Sequence, residues 1–436
     1  MASSSIESLP NEILVQIFSH LDGPPPSASR LHEQPAFDML ASDATPLKAV
    51  SRVSKLWRTL VLPLLFRNTT WRFNRRHLLE MAELHGAEHM ALLAFLRREE
   101  LTPWVRSLAL VVTDGIDGPS LLPGEGLQLE EDEYERAIIF NQEMNWLWRA
   151  LFQHLAIDRL TLVASPRMLA TLLSRMIFLS DAWSFTTGPH ILSLSLHGNT
   201  EWRLARPPED LPATPPPPPR SASQRQRAEQ AAQAYEAAYG LKRAPCDLFT
   251  LRPWRSVLVN EGSSTRVYKT YEFFLKRPPS IVGALLGSEE HPNDEPLLPP
   301  TIREFSYVAI FPLSHHFHSL INHLPPLDRL FVQLVPRHDL LSDADELRNV
   351  DVGDLWMERN TSYAALMREL FDPASADSRW LRLRVFESGD AADRESWRMA
   401  VNHLEYTGAT AWRVEREGVI VRCGNEGEPF VIFGNK

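Results

Sequence analysis

The sequence predicts an α/β chain, with a small helical module at the N-terminus and a longer region of alternating helices and strands behind it. Three observations carry this. Ile13, Leu14, Ile17, Phe18 and Leu21 recur at helical spacing and make one apolar stripe. From Leu92 to Arg422, amphipathic stretches alternate with short aliphatic runs, the pattern of βα units and a largely parallel sheet. Those runs are unevenly spaced, so the repeating unit is irregular and carries insertions.

The first helix opens at Leu9-Pro10, where the missing N–H of proline costs nothing, and Glu12 sits at the positive end of the helix dipole. Gly23-Pro24-Pro25-Pro26-Ser27-Ala28-Ser29 begins a link, residues 23–45, whose composition reads as a flexible loop. Thr45-Pro46 reads as the start of a second helix with Leu47, Val50, Ser54 and Trp57 on one side, and Pro63-Leu64-Leu65-Phe66 as a third, shorter helix. So small a module cannot bury two apolar stripes within itself. Burying one Ile, Leu or Phe is worth roughly 1.5–3 kcal/mol, so some of this surface must meet the rest of the chain or another protein.

At these residues the chain resembles an F-box, which opens on Leu-Pro, runs through a Glu and paired aliphatics to Ile-Phe, and closes on Val-x-Lys-x-Trp-Arg. Here those elements are Leu9-Pro10, Glu12, Ile13-Leu14, Ile17-Phe18 and Val53-Ser54-Lys55-Leu56-Trp57-Arg58. The resemblance covers residues 6–72. It implies a three-helix module that docks on the Skp adaptor and so joins a cullin–RING ubiquitin ligase of the SCF type. Carried over residue by residue, it assigns Leu9, Pro10, Ile13, Leu14, Ile17, Phe18, Leu21, Val50, Val53, Ser54, Lys55 and Trp57 to the adaptor contact. Ser54 stands where the family often has Cys. The link from Leu21 to Leu47 is far longer than usual there; each doubling of a loop costs only about 0.6 kcal/mol, so the fold survives it, but the insertion could obstruct one edge of the adaptor interface.

The chain has 436 residues, 44% hydrophobic and 23% charged, the composition of an ordinary globular protein with room for a large core. A formal net charge of −10 argues against a dedicated nucleic-acid or anionic-membrane binder. Two cysteines, Cys246 and Cys423, are too few for a disulfide framework and point to a reducing compartment. Met1-Ala2-Ser3-Ser4-Ser5 lacks the basic-then-apolar pattern of a secretory signal, and no apolar run approaches the ~18 residues of a membrane span. The expectation is an intracellular protein, cytoplasmic, nuclear or both.

In the longer region, residues 73–436, the expected strands are Val105–Val112, Ile157–Val163, Ile191–Leu196, Ile302–Val308, Leu327–Leu334, Trp380–Val385 and a closing hairpin of Trp412–Glu415 and Val419–Arg422, with Gly418 in its turn. The helices between them are Leu92–Leu96, Trp146–Phe152, Met168–Met176, His316–His323, Tyr363–Phe371 and Trp397–Leu404. A doubly wound sheet and a stacked horseshoe both fit this alternation. Leu194-Ser195-Leu196-His197-Gly198-Asn199 matches the LxLxxN core of a leucine-rich repeat, and Leu324-Pro325-Pro326-Leu327-Asp328-Arg329-Leu330 has the same character. Since leucine-rich regions commonly follow F-boxes, the expected fold is a three-helix F-box followed by an irregular leucine-rich-repeat-like βα solenoid that binds a client protein. Residues 205–245 hold a polyproline run ending at Arg220 and an Ala/Gln-rich stretch, which read as a disordered insertion. The acidic, Gly-containing stretch from Asp114 to Glu133 reads the same way.

No motif for chemistry emerges. His315-His316-x-His318 with His323 is the only dense set of metal-ligand types, without a CxxC or HExxH to fix its geometry, and reads as surface and packing histidines. Neither cysteine has a nucleophile signature, and no GxSxG, GxxxxGK[ST] or GxGxxG occurs. Trp-Arg pairs such as Trp254-Arg255 and Trp412-Arg413 read as core packing with the guanidinium reaching water, not as base-stacking platforms. The reading is therefore a non-catalytic substrate receptor without metal or cofactor, tethering a client for ubiquitination. Its alternative is a scaffold protein that uses the solenoid without assembling a ligase.

Overall fold

The computed structural model describes residues 6, 9–41, 45–83, 90–113, 144–175, 188–197, 226, 230, 246–275, 277–289, 293–335, 338–371, 378–407, 409 and 411–423. The insertion expected at 205–245 and the acidic stretch at 114–133 lie outside these residues, apart from 226 and 230, as does Asn199 of the LxLxxN match.

The N-terminal module holds α1 (Asn11–Ser19), α2 (Thr45–Val50) and α3 (Lys55–Leu65). The second expected helix is thus divided. The chain leaves helical geometry after Val50, and Ser54, extended at φ −151°, caps the next helix by accepting the Trp57 N–H at 3.2 Å. Pro63-Leu64-Leu65 is the last turn of that helix and not a separate one.

Ten strands form one sheet: β1 (Asn68–Asn74), β2 (Ser107–Thr113), β3 (Arg159–Ala164), β4 (His190–Ser195), β5 (Ser256–Asn260), β6 (Glu304–Val308), β7 (Arg329–Gln333), β8 (Val385–Ser388), β9 (Trp412–Arg416) and β10 (Val419–Arg422). Their order is β1-β2-β3-β4-β5-β6-β7-β8-β10-β9. From β1 to β8 each strand adds beside its predecessor in the chain, without the reversal of order that marks a doubly wound sheet. This repetitive sheet-and-helix arrangement is consistent with a leucine-rich-repeat-like solenoid. β1 and β5 were not expected from the sequence. The boundary expected after residue 72 falls within β1.

The sheet is largely parallel, as expected, and departs from that at two places: β4 runs against both neighbours, with His190 opposite Ala164 and Ser195 opposite Ser256, and β10 runs against β8 as well as against β9 in the expected hairpin. An alternating strand reads the same in either direction, so no residue pattern marks the reversal. The strand expected at Trp380–Val385 begins only at Val385. Residues Ser378–Arg382 form a 3-10 turn, held by the Trp380 indole N–H donating to Glu369 at 3.0 Å. The closing hairpin forms as expected, with Gly418 at φ +81°, a left-handed conformation that glycine adopts without a Cβ clash.

Helices line one face of the sheet: α4 (Arg75–Glu83), α5 (Ala91–Arg98), α6 (Asn145–His154), α7 (Pro166–Leu172), α8 (Val282–Leu286), α9 (Ser314–His323), α10 (Val352–Phe371) and α11 (Arg394–Thr407). Alternation sends Leu108, Leu110, Leu160, Leu162, Leu192, Leu194, Val257, Val259, Phe305, Tyr307, Leu330 and Phe386 into this helical layer, and together they form the main core.

The opposite face is covered over β2 to β5 by the segment read from its composition as a flexible loop. Residues 24–41 lie across the strands as a strap. Leu31, Met39 and Leu40 pack on Ala109, Val111, Val163, Ile191 and Leu258, one residue or two from each of four strands. Polar groups fix its course. The Arg159 guanidinium donates to the Ser27 carbonyl at 3.0 Å, the Ser27 and Ser107 hydroxyls are 3.2 Å apart, and the Ser263 N–H donates to the Gln34 side chain at 3.0 Å. His32 stacks edge-on against Phe331 of β7 at 4.5 Å between ring centroids. Gly262 lies beneath the strap at φ +75°, and a Cβ there would sit 2.8 Å from the Gln34 amide nitrogen. Thus the composition that suggested a loop gave no sign of its burial, which comes entirely from contacts distant in sequence.

Candidate functional site

The N-terminal module divides its apolar residues between an inside and an outside. Leu14, Phe18, Leu47 and Val61 form its own buried core, with Val50, Trp57, Leu60, Leu64 and Leu65 packed around them. Phe18 and Trp57 bring α1 and α3 together at 5.1 Å between ring centroids. The outside is also apolar. Leu9, Ile13, Ile17 and Leu21 follow one another at intervals of four and are between 38% and 42% exposed. Four residues is about one turn, so Ile13 and Ile17 share a ridge along α1, and Leu9 and Leu21 stand just beyond its two ends. Val53, 59% exposed, on the turn before α3, and Leu56, 42% exposed, on its first turn, are further apolar residues open to solvent.

The residues assigned to the adaptor contact therefore fall into two groups. Leu14, Phe18, Val50 and Trp57 are held within the module, and Ser54 is half-buried as the cap of α3. Leu9, Pro10, Ile13, Ile17, Leu21, Val53 and Lys55 are exposed. Leu56 and Ile6 are exposed apolar neighbours that the sequence reading missed. The signal for Leu56 was present: it precedes Trp57, and adjacent helical residues point about 100° apart, so with Trp57 turned to the module's core Leu56 is carried off that direction. In the chain the strap follows Leu21 after two residues, beginning at Pro24, and leads onto the sheet. Asp22 marks the corner; partial burial raises its pKa and the nearby Arg67 acts against that.

Elsewhere, the buried groups Glu261, His316 and Cys246 are held in packing. Glu261, at the end of β5, accepts the Tyr307 hydroxyl at 2.7 Å, and burial pushes its pKa up to about 7 against hydrogen bonds from Ser280, Tyr307 and the Ile281 backbone. His316 reaches the same hydroxyl at 3.2 Å, and burial, with the charge of His315, brings its pKa down to about 4. With the Tyr307 proton committed to Glu261, neutral His316 completes the chain by donating from Nε2. Among the described residues no group of three or more His, Cys, Asp or Glu side chains could hold a metal ion. Burial pushes the Cys246 thiol up to about 12, the opposite of what a nucleophile needs. Also among the described residues, no helix is long and apolar enough to cross a membrane.

A family model described as F-box-like matches residues 6–70, the span that contains α1, α2, α3 and the strap. An F-box-like domain is present in this chain, and such domains mediate protein–protein contacts and are generally non-catalytic. No curated protein matches the chain, and no solved structure matches it.

Proposed function

We propose that this chain is the substrate receptor of an SCF-type ubiquitin ligase, its F-box-like domain docking on the Skp adaptor and its sheet region holding a client protein. The observation that carries this is the set of exposed aliphatic residues Leu9, Ile13, Ile17 and Leu21, together with Val53 and Leu56, left open to solvent by a domain that matches the F-box-like model. Placing several large aliphatic side chains in one exposed patch is costly unless a partner covers them.

The chain's own contribution is placement, not bond chemistry. Binding adaptor and client together raises the local concentration of a client lysine at the ubiquitin-conjugating enzyme. A receptor gains from a fixed spacing between its two ends, and the strap ties the F-box-like domain to β2, β3, β4 and β5. The same assignment implies an intracellular location. The alternative, a scaffold that never joins a ligase, drew its support from an insertion able to obstruct the adaptor; residues 24–41 of that insertion pack on the sheet and the ridge residues are exposed, which supports the receptor reading.

The test is reconstitution. The purified chain, Skp adaptor and cullin–RING core are mixed and separated by size. One stoichiometric assembly is the expected result, and separate elution of the chain leaves the scaffold reading in its place.

A further inference from the structure

One row of residues crosses the sheet at the edge where the parallel strands begin. Each residue in it is joined to the next through the backbone: Arg106 N–H to the Arg67 carbonyl, Asp158 to Arg106, Leu196 to Asp158, Arg303 to Arg255, Asp328 to Arg303, Arg384 to Asp328 and Arg422 to Arg384. Arg255 bonds to Ser195, which precedes Leu196. Six of these nine positions are arginine, in a chain where Lys and Arg together number 45 of 436 residues. At β4 the row passes through the uncharged Leu196, which divides the arginines into two groups.

The second group, over β5 to β8, has the larger excess of charge. Among the described residues, Arg255, Arg303 and Arg384 occupy the row, and Arg382 reaches in from the turn before β8, its Nε 3.5 Å from the Asp328 carboxylate. Burial, with the charges of Arg382 and Arg255, lowers the pKa of Arg303 against the pull of Asp328, as follows from guanidinium groups held close together. Glu304, next in the chain, alternates to the strap face. Like charges so arranged repel one another, and an anion laid among them relieves that repulsion.

We propose that this rim, from Arg255 to Arg384, is a docking surface for an extended, carboxylate-rich segment of a partner protein. The shape of the row selects that occupant. Neighbouring strands are about 4.8 Å apart, so the row runs for about 14 Å, longer than one compact anion. An extended peptide presents alternate side chains every ~6.7 Å, and acidic residues at alternate positions meet the row at several points. Arginine forks bind carboxylates in pairs of hydrogen bonds, which adds geometry to charge. The rim stands out against a chain of net charge −10, which repels acidic partners elsewhere. The proposal is independent of the adaptor reading, since it needs only this chain.

The test is fluorescence anisotropy with the full chain and a labelled peptide of alternating Glu and Gly, beside the same peptide with Gln for Glu. The Glu peptide is expected to bind, with affinity falling steeply as salt rises, and the Gln peptide is not. Joint substitution Arg303→Gln and Arg384→Gln is expected to weaken binding by about tenfold or more, in the range for loss of charge-assisted hydrogen bonds. Arg303→Lys with Arg384→Lys is expected to keep part of the affinity, and Arg398→Gln, an exposed position on α11, all of it. Equal binding of the Gln peptide, or equal loss in the Arg398 variant, overturns the proposal. So does a single-stranded oligonucleotide that displaces the peptide at lower concentration, which would make the rim a phosphate-binding surface.

Discussion

The Asn260 side-chain amide donates to the backbone carbonyls of both Leu31 and Glu33 at 2.7 Å. Its oxygen accepts the Gly262 N–H at 2.8 Å. One fully buried side chain at the end of β5 thus satisfies the strap, which belongs to the N-terminal module, and the turn that leaves the sheet.

Removing that amide is expected to loosen the strap. Asn260→Ala leaves two strap carbonyls without a donor, at a cost of about 1–3 kcal/mol. Leu40→Ala, in the apolar contact beneath the strap, is expected to cost about 2–5 kcal/mol. Urea midpoints measure both. A strap-specific readout is trypsin cleavage after Arg30, which each variant should accelerate while the closing hairpin stays protected. Unchanged cleavage would mean the strap is held by other contacts.

Position within the N-terminal module decides what a substitution does. Leu14 is fully buried, so Leu14→Asp is expected to unfold the module by placing a charge in its core. Ile13→Asp, one residue earlier on the exposed ridge, is expected to leave the circular dichroism melt unchanged within about 0.5 kcal/mol and still to abolish adaptor binding. Parallel melts and pull-downs separate the two; equal melting of both variants would contradict the inside–outside division.

The pH dependence of stability has a traceable source in Glu261. Its pKa is raised from 4.5 to about 7 on folding, so the folded chain binds the extra proton between those values. The contribution is present below pH 4.5 and is lost as pH rises toward 7. Glu261→Gln, which keeps a neutral group, is expected to gain on wild type across that window. Urea midpoints at several pH values test this, and a difference that does not change with pH would contradict it. His316, lowered from 6.5 to about 4, works in the opposite sense, its contribution being lost as pH falls below 6.5, so the comparison is made on one substitution.

The sequence revealed whatever depends on local pattern. The ridge residues Ile13 and Ile17 and the aliphatic strands from Leu108 to Ile420 announce themselves by period. β1 escaped because Asn68-Thr69-Thr70-Trp71 offers no aliphatic run, and β5 because its run of Val257, Leu258 and Val259 lies beyond the long polar stretch after Arg206. The strap escaped for a different reason: its few apolar residues are buried by β2 to β5, and no period records a contact with strands so distant in the chain. The arginine row is of the same kind. Arg255, Arg303 and Arg384 are unremarkable one at a time and become a surface only once the register of the sheet is known.

The most direct test of the account is the affinity of the Skp adaptor for this chain and for a variant carrying Ile17→Asp and Val53→Asp, measured by calorimetry beside a thermal melt of each. Tight binding of the wild type, lost in a variant that melts at the same temperature, is the expected result. Equal affinity of the two, or no binding by either, would contradict the assignment of the exposed ridge as the adaptor surface.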